Sequence, residues 1–461
     1  MAQADIGLYN DRHISRFNYN NVIDPESYHN DVGSGEAAGC LGIVESAVLR
    51  YLDRYLKQHW NLGQNILLCW TMDEMGMQVL VAPHYFLGNF TASLTDCATV
   101  DRLDALNGSF IRKLIAGPRY LPPGEFNGAA CRLELIPLQI EMPVQLPLNR
   151  ALLRAIDGIV RRYSITYVKS RAVLLFDIVN FSLATPFEQT SQLNSLSYSL
   201  NSAHNKLRES NIQVNFNRTT TGDGYYVWHQ DDTPGANMEL FQFMLLVLVD
   251  NAIARRAASA GRGIGQIAPQ IRAGFHIGSH FEFYQVEGLK PGMNSFIVGD
   301  VTIELARMLD IAAPGQVIIG DFDTRVPTSS REGAYLIPAD SEHFVERATR
   351  QLQLLQGVKL SGKHIKAMHC YLSGVNGVSG GRSARRFRIT DKHGRSRNAY
   401  NLRVNIRTSD NHNPIILGLQ DGQLPKRQER RVSSATRGLK AGITGSWRAL
   451  PKKAKLSALE D

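Results

Sequence analysis

Cysteine is scarce and scattered. The 461 residues hold five (Cys40, Cys69, Cys97, Cys131 and Cys370), and no two form a C-x-x-C pair. That excludes a cysteine-rich zinc module and a disulfide scaffold, and it fits a reducing cytoplasm. Long apolar runs are missing too. The longest near mid-chain, Phe243–Val249, has seven residues, against about 20 needed to cross a bilayer core. The opening MAQADIGLYNDRH has no basic stretch followed by an apolar one, so no secretory signal is expected. The 39 glycines follow no repeat of three, which excludes collagen. With 43% apolar and 20% charged residues, the chain is neither fibrous nor disordered at length, and it suits two to three domains of about 150 residues.

Positive charge is present but concentrated. Pro425–Ser457 carries ten Lys and Arg against the single acid Glu429, an excess equal to the whole net charge of +9. The body of the chain is therefore near neutral. We read residues 421–461 as a basic flexible tail, with Trp447 and Leu450 as its one hint of contact with an anionic membrane surface. Nucleic acid is an unfavoured partner, because no stacking or groove-reading motif accompanies the tail. A second basic stretch, Arg382–Arg407, interleaves arginines with Tyr400, Leu402, Val404 and Ile406 at period two. That predicts a strand with its arginines on the wet face.

Residues 1–35 are polar and aperiodic, an irregular arm. Residues 36–165 read as an α/β domain of undisclosed, regulatory type. It opens on a helix from Glu36 to His59, with strands at Asn65–Trp70, Val79–Ala82 and Arg132–Ile136, and a helix at Leu148–Tyr163. From residue 166 the pattern changes. Ala172–Phe176 is a continuous apolar strand ending at Asp177, followed by a polar turn through Ser182 and a helix at Glu188–Glu209. Gln213–Asn217 reads as a strand. Thr219–Trp228 reads as strand, Gly-Asp-Gly turn and strand. Met238–Ala257 is an apolar helix. Gln270–Ile277 and Ser295–Val298 are strands, Val301–Leu309 a helix and Gln316–Ile319 a strand. The order predicts an α+β fold with a ferredoxin-like βαββαβ core over residues 166–330, and a β-rich extension over 331–420.

Asp177 and Asp223 stand 46 residues apart. In such a core the first strand lies between neighbours, so the hairpin can bring Asp223 beside the end that carries Asp177. Two carboxylates on rigid strands suit hard divalent cations. Gly222 and Gly224 clear side chains from around Asp223, and the turn after Asp177 can offer N–H groups to an anion. Paired metals on carboxylates serve phosphoryl transfer. Of the histidines, His229, His276 and His280 lie in or near this region; His276 and His280 are four apart, a spacing that makes a ligand pair only on a helix, but His276 sits inside a predicted strand, and no zinc is assigned.

Five blocks in order resemble the catalytic domain of class III adenylate/guanylate cyclases. They are Leu175-Phe-Asp-Ile-Val-Asn-Phe-Ser182, Thr220-Thr-Gly-Asp-Gly224, Arg272-Ala-Gly-Phe-His-Ile-Gly278, Val298-Gly-Asp-Val-Thr-Ile-Glu-Leu-Ala-Arg-Met308 and Pro314-Gly-Gln-Val-Ile-Ile319. The likeness spans about residues 166–325. Residues 355–420 are more weakly similar to the extension of some bacterial cyclases. The resemblance implies that Asp177 and Asp223, with Ile178, hold two Mg²⁺ or Mn²⁺ ions, and that a nucleoside triphosphate becomes a 3′,5′-cyclic nucleotide and pyrophosphate. It implies that Arg307 steadies charge on the α-phosphoryl oxygens and that sites form at a head-to-tail homodimer interface. It puts Phe181, Ser182, Thr219, Phe296 and Ile303 at the substrate.

Three of those positions depart from the family. Ile303 stands where an asparagine meets the ribose. Thr219 and Phe296 stand where adenine-selective members carry Lys and Asp. Arg218 could reach a base edge instead, favouring acceptor atoms. Cyclic AMP is the default product expected. A pyrimidine cyclase, similar to those of bacterial antiphage defence, is the alternative, and a catalytically silent nucleotide-binding module is the reading of a different class.

Overall fold

The computed structural model describes residues 42–90, 102–144, 149–212, 215–231, 233, 235–260, 268–286, 293–330, 333–373, 386–390, 394–409 and 414–420. The arm expected at 1–35 and the basic tail at 421–461 lie outside these residues, as do the first turn expected of the opening helix and residues 213–214 of an expected strand.

The first part runs α1 (Ile43–Trp60), β1 (Asn65–Asp73), β2 (Gly76–Pro83), α2 (Arg102–Ala116), α3 (Pro123–Leu133), β3 (Leu138–Glu141) and α4 (Arg150–Arg162). The strands form an antiparallel sheet in the order β1-β2-β3. Its two faces bury different side chains. Leu67, Trp70, Met77, Val79 and Ile140 pack against α1 and α4, while Ile66, Leu68, Leu80 and Ala82 pack against α2 and α3. Apolar runs buried on both faces are what made β1 legible as a strand. The strand expected at Arg132–Ile136 is not one. Phe126, Ala129, Ala130 and Leu133 are buried at helical spacing in α3, Glu134 closes that helix at φ 54°, and Ile136 is left exposed. Pro123 is the initiating residue of the helix, where its missing N–H costs nothing.

The second part runs β4 (Thr166–Ile178), α5 (Pro186–Glu209), β5 (Phe216–Thr220), β6 (Gly224–His229), α6 (Ala236–Ala260), β7 (Ile271–Val286), β8 (Met293–Val298), α7 (Asp300–Asp310) and β9 (Val317–Gly320). A hairpin, β10 (Asp323–Ser330) and β11 (Gly333–Asp340), then leads to α8 (Ser341–Gln351). The described residues finish with β12 (Lys359–Leu360), β13 (Lys363–Leu372), β14 (Phe387–Thr390), β15 (Ser396–Thr408) and β16 (Ile415–Leu417). Eleven strands make one large mixed sheet, in the order β12-β13-β15-β9-β7-β4-β6-β5, with β8 paired to β7 and both β14 and β16 paired to β15. β7 and β9 run parallel. β4 is antiparallel to β6 on one side and to β7 on the other.

Alternation along β4 sends Leu174 and Phe176 to the face covered by α5 and α6. Val173 and Leu175 go to the face covered by α7. α7 lies close because Gly274 and Gly278 of β7 have no side chains there. A Cβ at either would stand 3.0 Å from Leu305 or 3.1 Å from Val301. Ala236–Ala257 of α6 is long and apolar enough to cross a membrane, yet 83% of its apolar window is buried in this core. α5 starts at a capping box, with Thr185 accepting from the Glu188 amide and Pro186 in the first turn.

Candidate active site at the end of β4

β4 carries Asp177 on its α7 face, one residue before its end. The β5–β6 turn falls directly beside it. Asp177 stands opposite Gly224 across the β4–β6 pair, and the Ile178 amide donates to the Asp223 carbonyl at 2.9 Å. Gly224 makes this approach possible, since a Cβ there would lie 1.9 Å from the Phe176 carbonyl oxygen. Its bare backbone thus serves the strand pairing. Gly222 turns the chain at φ +98° with open space around it.

On the other side of β4, Asp177 stands opposite Arg272 of β7. The Arg272 Nε donates to Asp177 Oδ2 at 2.5 Å, and its Nη1 donates to the Ala312 carbonyl beyond α7 at 3.0 Å. Asp223 completes the group, with Thr221 Oγ1 donating to its Oδ1 at 3.2 Å. Burial pushes the Asp177 carboxyl above the ordinary carboxylate range. Arg272 pulls it back by hydrogen bond and charge, and the Asp223 carboxylate beside it pushes it up again, for a net rise. Among the described residues no cluster of three or more His, Cys, Asp or Glu has metal-holding geometry. The oxygens that a cation would meet here are those of this carboxylate pair. Its hard oxygens fit Mg²⁺ or Mn²⁺, and its like-charge repulsion is what a cation would relieve.

The direction of the Asp177 shift gives a measurable expectation. In metal-free protein its side-chain carbon, followed by carboxyl NMR, titrates above the usual carboxylate midpoint. Arg272→Met moves that midpoint further up, because the lowering partner is gone. The folded chain holds this proton more tightly than the unfolded chain. Asp177's contribution to stability therefore falls as pH rises from the unfolded value through the raised one.

The other sequence-derived positions scatter. Ile178 is buried, and its amide is bonded to the Asp223 carbonyl. The Val179 amide donates to the Gln270 carbonyl, so the two amides following Asp177 are committed to the fold and the expected anion nest does not begin there. Asn180 adopts φ 59° and starts a short 3₁₀ turn. In it Phe181 leans on the α5–α6 core and Ser182 is exposed, with Leu183 82% exposed next to it. Thr219 stands opposite Tyr226, whose hydroxyl donates to the Thr302 carbonyl of α7, so Thr219 is on the α7 face. Arg218 points the other way. It stands opposite the core residue Val227 and donates to Asn201 of α5 at 3.2 Å. Strand alternation thus puts Arg218 and Thr219 on opposite faces. Phe296 stacks on Phe283 at 5.8 Å. Ile303 is 49% exposed on α7. Arg307, one turn on, donates to Asp310 of its own helix at 3.2 Å.

Arg272 was missed as a site residue. Its signal was a lone guanidinium near the start of a strand, and only the β4–β7 register pairs it with Asp177.

No family model matches the sequence, and no curated protein matches it significantly. Solved structures do show likeness. The adenylyl cyclase CyaB from P. aeruginosa is 13% identical, over 52% of this chain and 95% of that one, at a TM-score of 0.30. The guanylyl cyclase Cya2 is 11% identical, over 51% and 91%, at 0.29. The guanylate cyclase domain of RhGC from Catenaria anguillulae, in complex with GTP, is 15% identical, over 38% and 98%, at 0.26. At such scores these likenesses carry no weight for activity, and the functional reading rests on the side chains.

Proposed function

We propose that this chain is a nucleotide cyclase, converting a nucleoside triphosphate into a 3′,5′-cyclic nucleotide and pyrophosphate. One observation carries the reading: Asp177 and Asp223 converge at the end of β4, with Arg272 as the counter-charge. The surrounding order supports it. β4-α5-β5-β6-α6-β7, with neighbours β7-β4-β6-β5 all antiparallel, supports the ferredoxin-like βαββαβ core that we propose. We assign residues 166–330 to catalysis, 36–165 to regulation and 331–420 to an extension, in a cytoplasmic protein whose tail can meet an anionic surface.

Asp177 and Asp223 would hold two Mg²⁺ or Mn²⁺ ions. When bound, these would neutralise the triphosphate and lower the pKa of the attacking 3′-hydroxyl. Arg272 fixes the orientation of the Asp177 carboxylate. Arg307 offsets negative charge growing on the α-phosphoryl oxygens. Within its own chain Arg307 is bonded to Asp310, and we assign it to the aspartates of a second copy in a head-to-tail homodimer.

Cyclic AMP is the default product. A pyrimidine product is the second reading, favoured by Phe296, which stacks on Phe283 and has no group to hydrogen-bond a purine edge. Purified protein incubated with ATP, GTP, CTP or UTP and Mn²⁺, with products read by mass spectrometry, tests activity and base together. One cyclic nucleotide is expected to dominate. No cyclic product from any of the four would sink the proposal in favour of a silent binding module.

A further inference from the structure

α7 carries an acid at a position with an unusual set of partners. Glu304, half-buried, accepts from His276 Nε2 of β7 at 2.6 Å through one carboxylate oxygen. Its other oxygen is ion-paired with Arg397 Nε of β15 at 3.0 Å. These bonds hold the carboxyl below its ordinary range, His276 contributing most. The histidine is itself fixed. Its Nδ1 is buried against Gly320, where a Cβ would stand 2.1 Å away, so β9 offers the ring a floor that only glycine leaves open. Gly320 in turn pairs with Ala399 of β15. The apolar contacts follow the same path. Ile389 and Ala399, from the β14–β15 hairpin, are buried in one cluster with Val301, Leu305 and Met308 of α7. α7 is thus gripped from two sides, by β7 beneath it and by late strands of the chain alongside. Glu304 bonds to both. Arg307 lies three residues further on, a surface neighbour of Glu304 on the same helix.

We propose that Glu304 is a positioning residue. By bonding His276 and Arg397 together it sets α7 against the sheet, and so makes the placement of Arg307 depend on β15. The strands after residue 386 then act in the reaction through one carboxylate, and whatever displaces β15 displaces Arg307. This rests on the cyclase reading for its catalytic consequence, but the clamp itself can be read without turnover.

The test uses the full chain with Glu304→Gln, Arg397→Met, Arg397→Lys and Arg307→Ala, and the double variant Glu304→Gln/Arg307→Ala. With the triphosphate that the wild type turns over, Glu304→Gln and Arg397→Met should each lower kcat about tenfold and leave KM within about twofold, because Arg307 acts in the transition state. Arg397→Lys should recover most of the loss. The double variant should be no slower than Arg307→Ala alone. Losses that multiply in the double variant, or that fall on KM, overturn the proposal. Hydrogen exchange on the same proteins reads the clamp directly. Amides of residues 301–310 should exchange about tenfold faster in Arg397→Met while those of β4 stay unchanged. If the wild type turns over none of the four triphosphates, the cyclase reading fails and exchange alone decides the clamp. Unchanged exchange in α7 overturns it.

Discussion

Asp177→Asn and Asp223→Asn are each expected to cut pyrophosphate release by about 10³-fold or more, since each removes one of the two charges that would hold the metals. The substitutions keep shape and volume. An amide oxygen at position 177 would still accept from Arg272, and Arg272 keeps its bond to the Ala312 carbonyl. Thermal midpoints should therefore stay within about 3 °C of wild type. Manganese titration separates the steps. Affinity should drop in both variants, and raising the metal concentration should recover part of the activity but not all. Undiminished release in both variants would remove the basis for reading this as a cyclase. Loss of activity together with loss of folding would be decided by the hydrogen-exchange protection of β4, which lies at the centre of the sheet.

The second large effect is structural. Gly224→Ala puts a methyl group 1.9 Å from the Phe176 carbonyl oxygen and 3.1 Å from the Asp177 Cα. Both are backbone atoms of the central strand, so neither can swing aside. The β4–β6 pairing must open, at a cost of about 3 kcal/mol or more, and the opening carries Asp223 away from Asp177. Gly222→Ala, two residues earlier, meets no atom within 4 Å, and its strain comes only from φ +98°. It should cost about 1 kcal/mol. Denaturant midpoints should rank the two in that order. Equal costs would mean that the glycines serve the turn alone and that the close strand approach is not what fixes the aspartates.

Much of the second part of the chain could be read directly. β4 and α6 announced themselves as apolar segments of strand and helix length, and Gly222-Asp-Gly224 marked the hairpin. What could not be read was anything set by pairing between distant strands. Arg272 becomes the partner of Asp177 only through the β4–β7 register. Arg218 looked like a neighbour of Thr219 because it is adjacent in sequence, but in a strand adjacency means opposite faces. Arg132–Ile136 has the residue types of a strand, but Arg132 and Leu133 end α3, whose buried Phe126, Ala129 and Leu133 set a period of 3.6, and Glu134 caps it. Nothing in the sequence singles out Glu304. Its partners come from 28 residues earlier, in β7, and from β15, two strands away in the same sheet.

β15 also decides how this protein can be dissected. It does not hang at a border but is laced between β13 and β9 in the interior of the sheet. Cutting the chain ahead of Ser396 would not yield a trimmed version of the same fold. It would uncover raw backbone on both β9 and β13, two sticky rims that invite self-association, so a shortened version should precipitate where the intact chain stays dissolved.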